Sequence, residues 1–284
     1  MMAAGSDEKP ILHVDRRANG VVEIVLCRPP ANALNLRLLS ELASALNRLE
    51  GDVEARAVLI RAEGKGFSAG GDVKEVQALP GFEGILGQVD GLQRAVLAIM
   101  NCAVPVVMAV HGYCVGGGVL LAGAADIVAA AEGARFILAE IDYGATAGGI
   151  LALRLMPEKR VRAAMMTADP VTAEELHAFG SVLLLVAPEE LAGAARALAA
   201  KIAAKPADPM RRLKRSLNHS MRVQDVEAAY RAEVSYTYEL NISGAAAAGR
   251  AAFIDRGSAV VPNGVGAGEP DQVSDNHRAG EHAD

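Results

Sequence analysis

Pro105–Asp126 reads PVVMAVHGYCVGGGVLLAGAAD, and the fold turns on this stretch. Behind Pro105, Val106–Val110 is an apolar, largely β-branched run that suits a buried strand. Gly112 punctuates it. Gly116, Gly117 and Gly118 then lead into Val119–Ala125, an apolar, alanine-rich segment that reads as a buried helix. Glycines at such a junction let a ligand approach the backbone. The free N–H groups of the first helical turn, with the helix dipole, favour negative charge there. A tight, close-packed turn with no ligand would use the same glycines. A second segment upstream shifts the balance towards a ligand.

That segment is Glu63–Asp72, EGKGFSAGGD, which follows the expected strand Ala57–Ile60 and precedes a helix beginning at Lys74–Leu79. Two Gly-rich loops thus stand about 45 residues apart, each leaving a strand and opening a helix. Paired helix N-termini can aim two backbone N–H groups at one oxygen, an oxyanion hole for a carbonyl that gains negative charge.

Outward from these loops, Ile11–Val14 and Val21–Cys27 read as strands joined by a turn at Arg17–Gly20. Leu36–Leu49 carries apolar residues at helical spacing, and Leu92–Met100 is helical. The glycine-punctuated stretch Pro80–Gly91 takes no assignment from the sequence. Ile127–Ala130 and Val182–Val186 read as strands, with Phe136–Glu140 as a short one. Glu158–Ala168 and Thr172–Phe179 read as helices, the second opening on the capping-box pattern Thr172-Ala173-Glu174-Glu175. Helices are expected over Pro188–Ala204, Pro209–Ser220, Val223–Tyr238 and Ala245–Ile254. Strands alternate with helices to about residue 187 and only helices follow, an α/β core with a helical C-terminal layer. The expected organisation is a disordered N-terminus at 1–10, a core at 11–200, a helical region at 201–257 and a disordered tail at 258–284.

Composition narrows the class. Of 284 residues, 51% are apolar and 22% charged, consistent with a soluble protein with a sizeable core. A net charge of −6 argues against a nucleic-acid partner. No apolar run reaches the length of a membrane span, and the acidic start MMAAGSDEKP reads as no signal peptide. Cys27, Cys102 and Cys114 are odd in number and lie in or beside apolar segments, so reduced thiols and a cytoplasmic location are expected. No metal site is expected.

Phe67–Glu75 (FSAGGDVKE) with His111–Gly118 (HGYCVGGG) resembles the enoyl-CoA hydratase/isomerase (crotonase) superfamily. The resemblance runs from about residue 11 to 256 and takes in Arg28–Asn35 (RPPANALN) and Thr172–Glu175 with Gly180. It implies a crotonase-like spiral of ββα units, a homotrimer or hexamer (a dimer of trimers), and an acyl-CoA thioester as substrate. No cofactor is implied beyond the CoA that the substrate carries. By position, the backbone N–H groups of Gly71 and Gly117 would be the oxyanion donors. Ala69 would line the adenine pocket, Arg28 would lie near the CoA phosphates, and Phe253 and Arg256 on the C-terminal helix would close the CoA site, often that of a neighbouring subunit.

One departure matters. Hydratases of this superfamily carry two glutamates, and the first position is Leu120 here, whereas the second is kept as Glu140. Hydration needs one group to activate water and one to manage the proton at Cα, and Leu supplies neither. Asp142 would share the face of Glu140 in an extended segment and point elsewhere in a helical one, and it stands as the second catalytic candidate. Tyr143, Tyr236 and Tyr238 would serve as acids only if the C-terminal helices fold over the pocket. His111, Asp72 and Asp126 read as structural, Asp72 as a helix cap. Lys214 with Arg211, Arg212 and Arg215 reads as a solvated basic face.

Tyr238–Asn241 (YELN) and Arg61–Phe67 (RAEGKGF) look like the actinobacterial branch associated with steroid-ring breakdown. That resemblance implies hydrolysis of a carbon–carbon bond in a CoA-linked cyclic β-diketone. Three readings follow: ring C–C hydrolysis or double-bond isomerisation with one carboxylate, 2-enoyl-CoA hydration, and acyl-CoA binding without catalysis. Leu120 counts against the second reading, and Glu140 against the third.

Overall fold

The structure, a computed structural model, describes residues 10–220 and 226–255. Of the expected disordered ends, 1–10 and 258–284, all but Pro10 lies outside the described residues. Strands β1 (Leu12–Arg16) and β2 (Val21–Leu26) form the expected hairpin, closed where Gly20 N donates to Arg17 O at 2.9 Å. Helix α1 (Leu36–Asn47) starts at Asn35, whose side chain accepts from Leu38 N. Strands β3 (Ala57–Ala62), β4 (Val106–Val110), β6 (Ile127–Ala131) and β9 (Val182–Val186) run parallel to β2 in a six-stranded sheet ordered β1-β2-β3-β4-β6-β9. A short second sheet holds β5 (Tyr113–Val115), β7 (Arg135–Ile137) and β8 (Val171–Thr172), in the order β5-β7-β8.

Both faces of the parallel sheet are covered, which is why its strands are continuous apolar runs. Val58 and Ile60 face the main core, while Ala57 and Leu59 face helix α8 (Leu191–Ala203). That helix meets the sheet through Leu191, Ala195, Ala199 and Ala203, one residue per turn and mostly alanine. Between the sheet segments lie α2 (Val73–Ala78), α3 (Glu83–Asn101), α4 (Gly117–Ala124), α5 (Gly149–Ala152), α6 (Glu158–Thr167) and α7 (Ala173–Ala178). A 3-10 turn spans Glu140–Tyr143. Helices α9 (Ala207–Ser220), α10 (Val226–Ile242) and α11 (Ala245–Asp255) follow the last strand. Among the described residues no helix is long and apolar enough to cross a membrane.

Three sequence expectations change. The unassigned stretch Pro80–Gly91 holds most of the first half of α3, which runs unbroken for 19 residues. Its glycines are seats for close packing: Gly84 lies against Val76, and side chains on Gly87 and Gly91 would begin 3.1 and 3.3 Å from Leu36 and Leu39. The strand expected at Phe136–Glu140 ends at Ile137, and the chain turns into the 3-10 segment. Lys214 is 5% exposed, not solvated. Its ammonium donates to Asp126 Oδ2 at 2.7 Å and to the carbonyls of Val104 and Ile99, while Arg211 donates to the carbonyls of Asp52 and Ala55. These two cations pin α9 to the core by binding the carbonyl ends of helix and loop segments, so the apparent basic face is partly internal.

Candidate active site

The first Gly-rich loop is held by the segment 31–35. Asn32 Nδ2 donates to Glu63 O and Gly66 O, and Ser68 Oγ donates to Asn32 O. Ala69 N donates to Ala31 O at 2.9 Å, Leu34 N to Gly70 O at 2.7 Å and Asp72 N to Leu34 O at 3.2 Å. The loop backbone is therefore committed to its brace nearly residue by residue. Asp72 caps α2 as expected, accepting from Glu75 N, and its other oxygen accepts from Arg28 Nη2 at 2.6 Å. Arg28 also donates to Ala33 O. It is half-buried and ties the brace to the loop.

The second loop abuts the first. Val115 N donates to Ser68 O at 2.9 Å, and a side chain on Gly70 would begin 3.0 Å from Val115 O. Gly116 (φ 50°) turns the chain into α4, a conformation that disfavours a Cβ. Its N–H donates to Ile137 O, which fixes the loop to the second sheet. Among the described residues no acceptor takes the backbone N–H of Gly71 or of Gly117. Helix α3 forms the wall along both: Gln88 Nε2 lies 3.0 Å from where a side chain on Gly71 would begin, and Leu92 lies 3.2 Å from the same point on Gly117.

Glu140 reaches this junction from the 3-10 turn. Its Oε1 is 3.1 Å from where a side chain on Gly116 would begin, so Gly116 leaves room for the carboxylate. The residue keeps some exposure, but Oε2 is shielded and takes no hydrogen bond from the described residues. Burial pushes the Glu140 carboxyl up to about 7, against a weaker opposing backbone hydrogen bond. A carboxyl so placed exchanges protons near neutral pH. It also lines a cavity of about 440 Å³ together with Leu138, Ala145, Thr146, Ile150 and Met165. Leu120 is 1% exposed and packs against Gly148, with 2.6 Å to the point where a side chain there would begin.

Gly71, Gly117 and Glu140 therefore converge on the two-loop junction. Asp142 does not join them. In a 3-10 turn, residues two apart lie about 240° apart around the axis, and Asp142 is exposed. Ala69 is half-buried on the first loop. Phe253 lies on α11, and Arg256 lies outside the described residues. Tyr143 packs on the small cluster of Val115, Ile137 and Ala139, and Tyr238 packs on the main core. Tyr236 lies on α10. The His111 ring meets Gly64 O at 3.0 Å, a structural contact. The C-terminal helices do fold back over the site: α11 lies on the 3-10 turn and on α2, with Gly144 against Ala246. Gln88 escaped the sequence reading because its helix was not visible, although the spacing Gly84-Gln88-Leu92 was there to be read.

Two strand-loop-helix junctions, each with an N–H group that has no acceptor among the described residues, stand beside a shielded carboxyl, an arrangement that suits an enzyme of carbonyl compounds. The sequence places the chain more closely. Residues 16–261 match the enoyl-CoA hydratase/isomerase family model, and the chain belongs to that family. Two relatives carry the name (7aS)-7a-methyl-1,5-dioxo-2,3,5,6,7,7a-hexahydro-1H-indene-carboxyl-CoA hydrolase. The one from Rhodococcus jostii is 41% identical over 239 residues, covering 84% of this chain and 92% of the relative. The one from Mycobacterium tuberculosis is 40% identical over 237 residues, covering 84% and 96%. The crystal structure of an enoyl-CoA hydratase/isomerase from Xanthobacter autotrophicus superposes with a TM-score of 0.78 at 28% identity, covering 87% and 93%. The fold is the crotonase fold, and the protein is a crotonase-superfamily enzyme of acyl-CoA thioesters.

Proposed function

We propose that this enzyme hydrolyses a ring carbon–carbon bond in a CoA-linked cyclic β-diketone, with Glu140 as its single acid–base group. The observation that carries this reading is the pairing of a shielded Glu140, titrating at about 7, with an apolar, close-packed Leu120 where a hydratase needs a second carboxylate. The names of the relatives at 40–41% identity support the same chemistry.

In this reading the thioester oxygen accepts from Gly71 N–H and Gly117 N–H. Glu140 takes a proton from water as the water oxygen bonds to a ring ketone carbon. The bond from that carbon to the ring carbon that bears the thioester then breaks. Its electron pair delocalises onto the thioester oxygen, where the two N–H groups stabilise it. Glu140 returns the proton to the resulting carbon, and the former ketone leaves as a carboxylic acid. One water is consumed, and no electrons are exchanged with an outside partner. No cofactor is needed beyond the CoA of the substrate.

Double-bond isomerisation is the second reading, because it too needs only one carboxylate to move a proton. Arg28 and Ala69 on the first loop, with Phe253 and Arg256 at the C-terminus, are assigned to the CoA moiety. The assembly is a homotrimer or a hexamer, and the three free cysteines suit a reducing cytoplasm. Asp142, exposed on the same turn, is assigned no proton in the step.

The test is a turnover panel of a cyclic β-diketone CoA, a 3-enoyl-CoA and crotonyl-CoA, run in 18O-labelled water. Ring opening with one labelled oxygen in the new carboxylate is expected. Turnover of crotonyl-CoA alone would refute the reading, and turnover of the 3-enoyl-CoA alone would select isomerisation.

A further inference from the structure

We propose that the carboxamide of Gln88 determines specificity, hydrogen-bonding an oxygen substituent of the acyl group beside the thioester and so selecting oxo-acyl over plain hydrocarbon chains. The inference deepens the reading above and rests on Gly71 and Gly117 holding the thioester.

Gln88 is 8% exposed, and among the described residues neither Oε1 nor Nε2 has a hydrogen-bond partner, both atoms being shielded from solvent. A buried amide in that state is destabilising, and a protein interior seldom keeps one without a use. Its position gives the use. Nε2 and Cδ lie 3.0 and 3.4 Å from where a side chain on Gly71 would begin. One turn along α3, Leu92 stands in the same relation to Gly117. The i, i+4 spacing therefore lays one polar and one apolar side chain along the two donors, the amide on one side and the hydrocarbon on the other.

The amide stands beside Gly71, next to an acyl chain whose thioester the two donors hold. A hydrocarbon chain leaves both amide atoms unpartnered, whereas a ketone oxygen satisfies Nε2, and a hydroxyl, as in an enol or hydrate, satisfies Oε1. Sites built around a hydrogen bond reject the analogue that lacks the partner much more strongly than apolar pockets reject a small change in size. Gly117 is flanked by the apolar Leu34 and Leu92, so the polar demand falls on the Gly71 side.

Calorimetry tests this with 2-oxocyclohexane-1-carboxyl-CoA and cyclohexane-1-carboxyl-CoA, which differ by one ketone. Both proteins compared carry Glu140→Gln, so that the ketone is not consumed, and one also carries Gln88→Met, similar in length without an amide. With Gln88 present the oxo ligand is expected to bind about 10-fold tighter or more. With Gln88→Met the two ligands are expected to bind alike, the deoxo ligand serving as the control for folding. No preference in the Gln88 protein, or a preference that survives Gln88→Met, overturns the proposal. If Gln88→Met binds neither ligand, Gln88→Leu takes its place, and failure of both to bind the deoxo ligand makes Gln88 a structural residue and also overturns it. The binding readout is independent of turnover, so a failed ring hydrolysis and a failed recognition by Gln88 are told apart.

Discussion

Replacing Glu140 by Gln keeps the side-chain shape and removes a charge, and the two consequences run in opposite directions. Burial raises the Glu140 carboxyl from 4.5 to about 7. At about 1.4 kcal/mol per pH unit, that rise makes the folded state carry the carboxylate at a cost of about 3 kcal/mol above pH 7. The direction follows from proton binding. The folded protein holds this proton up to about pH 7, whereas the unfolded chain releases it near 4.5. Stability from this group therefore falls as the pH rises from about 4.5 to about 7, then levels off. An amide shows no such dependence, so the variant is expected to gain on the parent by about 3 kcal/mol between pH 4.5 and pH 8. Urea denaturation of both proteins across that range reads the difference directly. Over the same range the parent's activity is expected to rise through about pH 7 as the base ionises. On its true substrate the variant is expected to lose about 10²-fold or more in kcat with CoA binding nearly intact. Parallel stability curves for the two proteins would refute the desolvation argument. Parental turnover in the variant would remove Glu140 from the reaction.

Crotonyl-CoA hydration is expected to run about 10²–10⁴-fold below that of a two-carboxylate enzyme, because Leu120 supplies no proton; loss of the enoyl-thioester absorbance measures it. Glu23 is 1% exposed, and although its burial works against ionisation, hydrogen bonds from Arg196, Arg61 and Arg17 hold it at about 2. Its contribution is present above about pH 4.5 and is lost as the pH falls towards 2, so Glu23→Ala is expected to cost about 3 kcal/mol at pH 7 and much less at pH 3. Lys214→Met removes the ammonium from the carbonyls of Val104 and Ile99 and leaves Asp126 with the Val106 N–H but no cation, and is expected to cost about 3 kcal/mol in chemical denaturation while leaving acyl-CoA affinity within about twofold. Thr172→Ala breaks the capping box with Glu175 and is expected to cost about 1 kcal/mol.

The six strands of the large sheet and both Gly-rich loops were legible because their signals are local, whereas β5 and β8 of the small sheet, three and two residues long, are too short to show a period. Val106–Val110 is apolar throughout since both faces of its sheet are covered, and the Thr172–Glu175 cap announces its helix by residue type alone. What escaped depends on neighbours distant in sequence. Gly84, Gly87 and Gly91 read as breaks, yet each seats α3 against α1 or α2, where a side chain would collide. Lys214 read as solvated, because nothing nearby in sequence shows the carbonyls of Ile99 and Val104 waiting across the core. Glu140 was legible as a position, but its separation from Asp142 depends on the 3-10 turn after β7, which the pattern 136–140 does not distinguish from a longer strand.

The glycine seats of α3 also set how this enzyme can be altered. Gly87 and Gly91 leave no slack between α3 and α1, so the helix is a fixed rail and cannot slide to admit a bulkier guest. Gln88 and Leu92 lie one residue further round the same rail and stand beside Gly71 and Gly117 of the loops. Exchanging that pair re-dresses the wall while the frame stays put. A directed library confined to positions 88 and 92 would thus sample new acyl preferences without spending mutations on the scaffold.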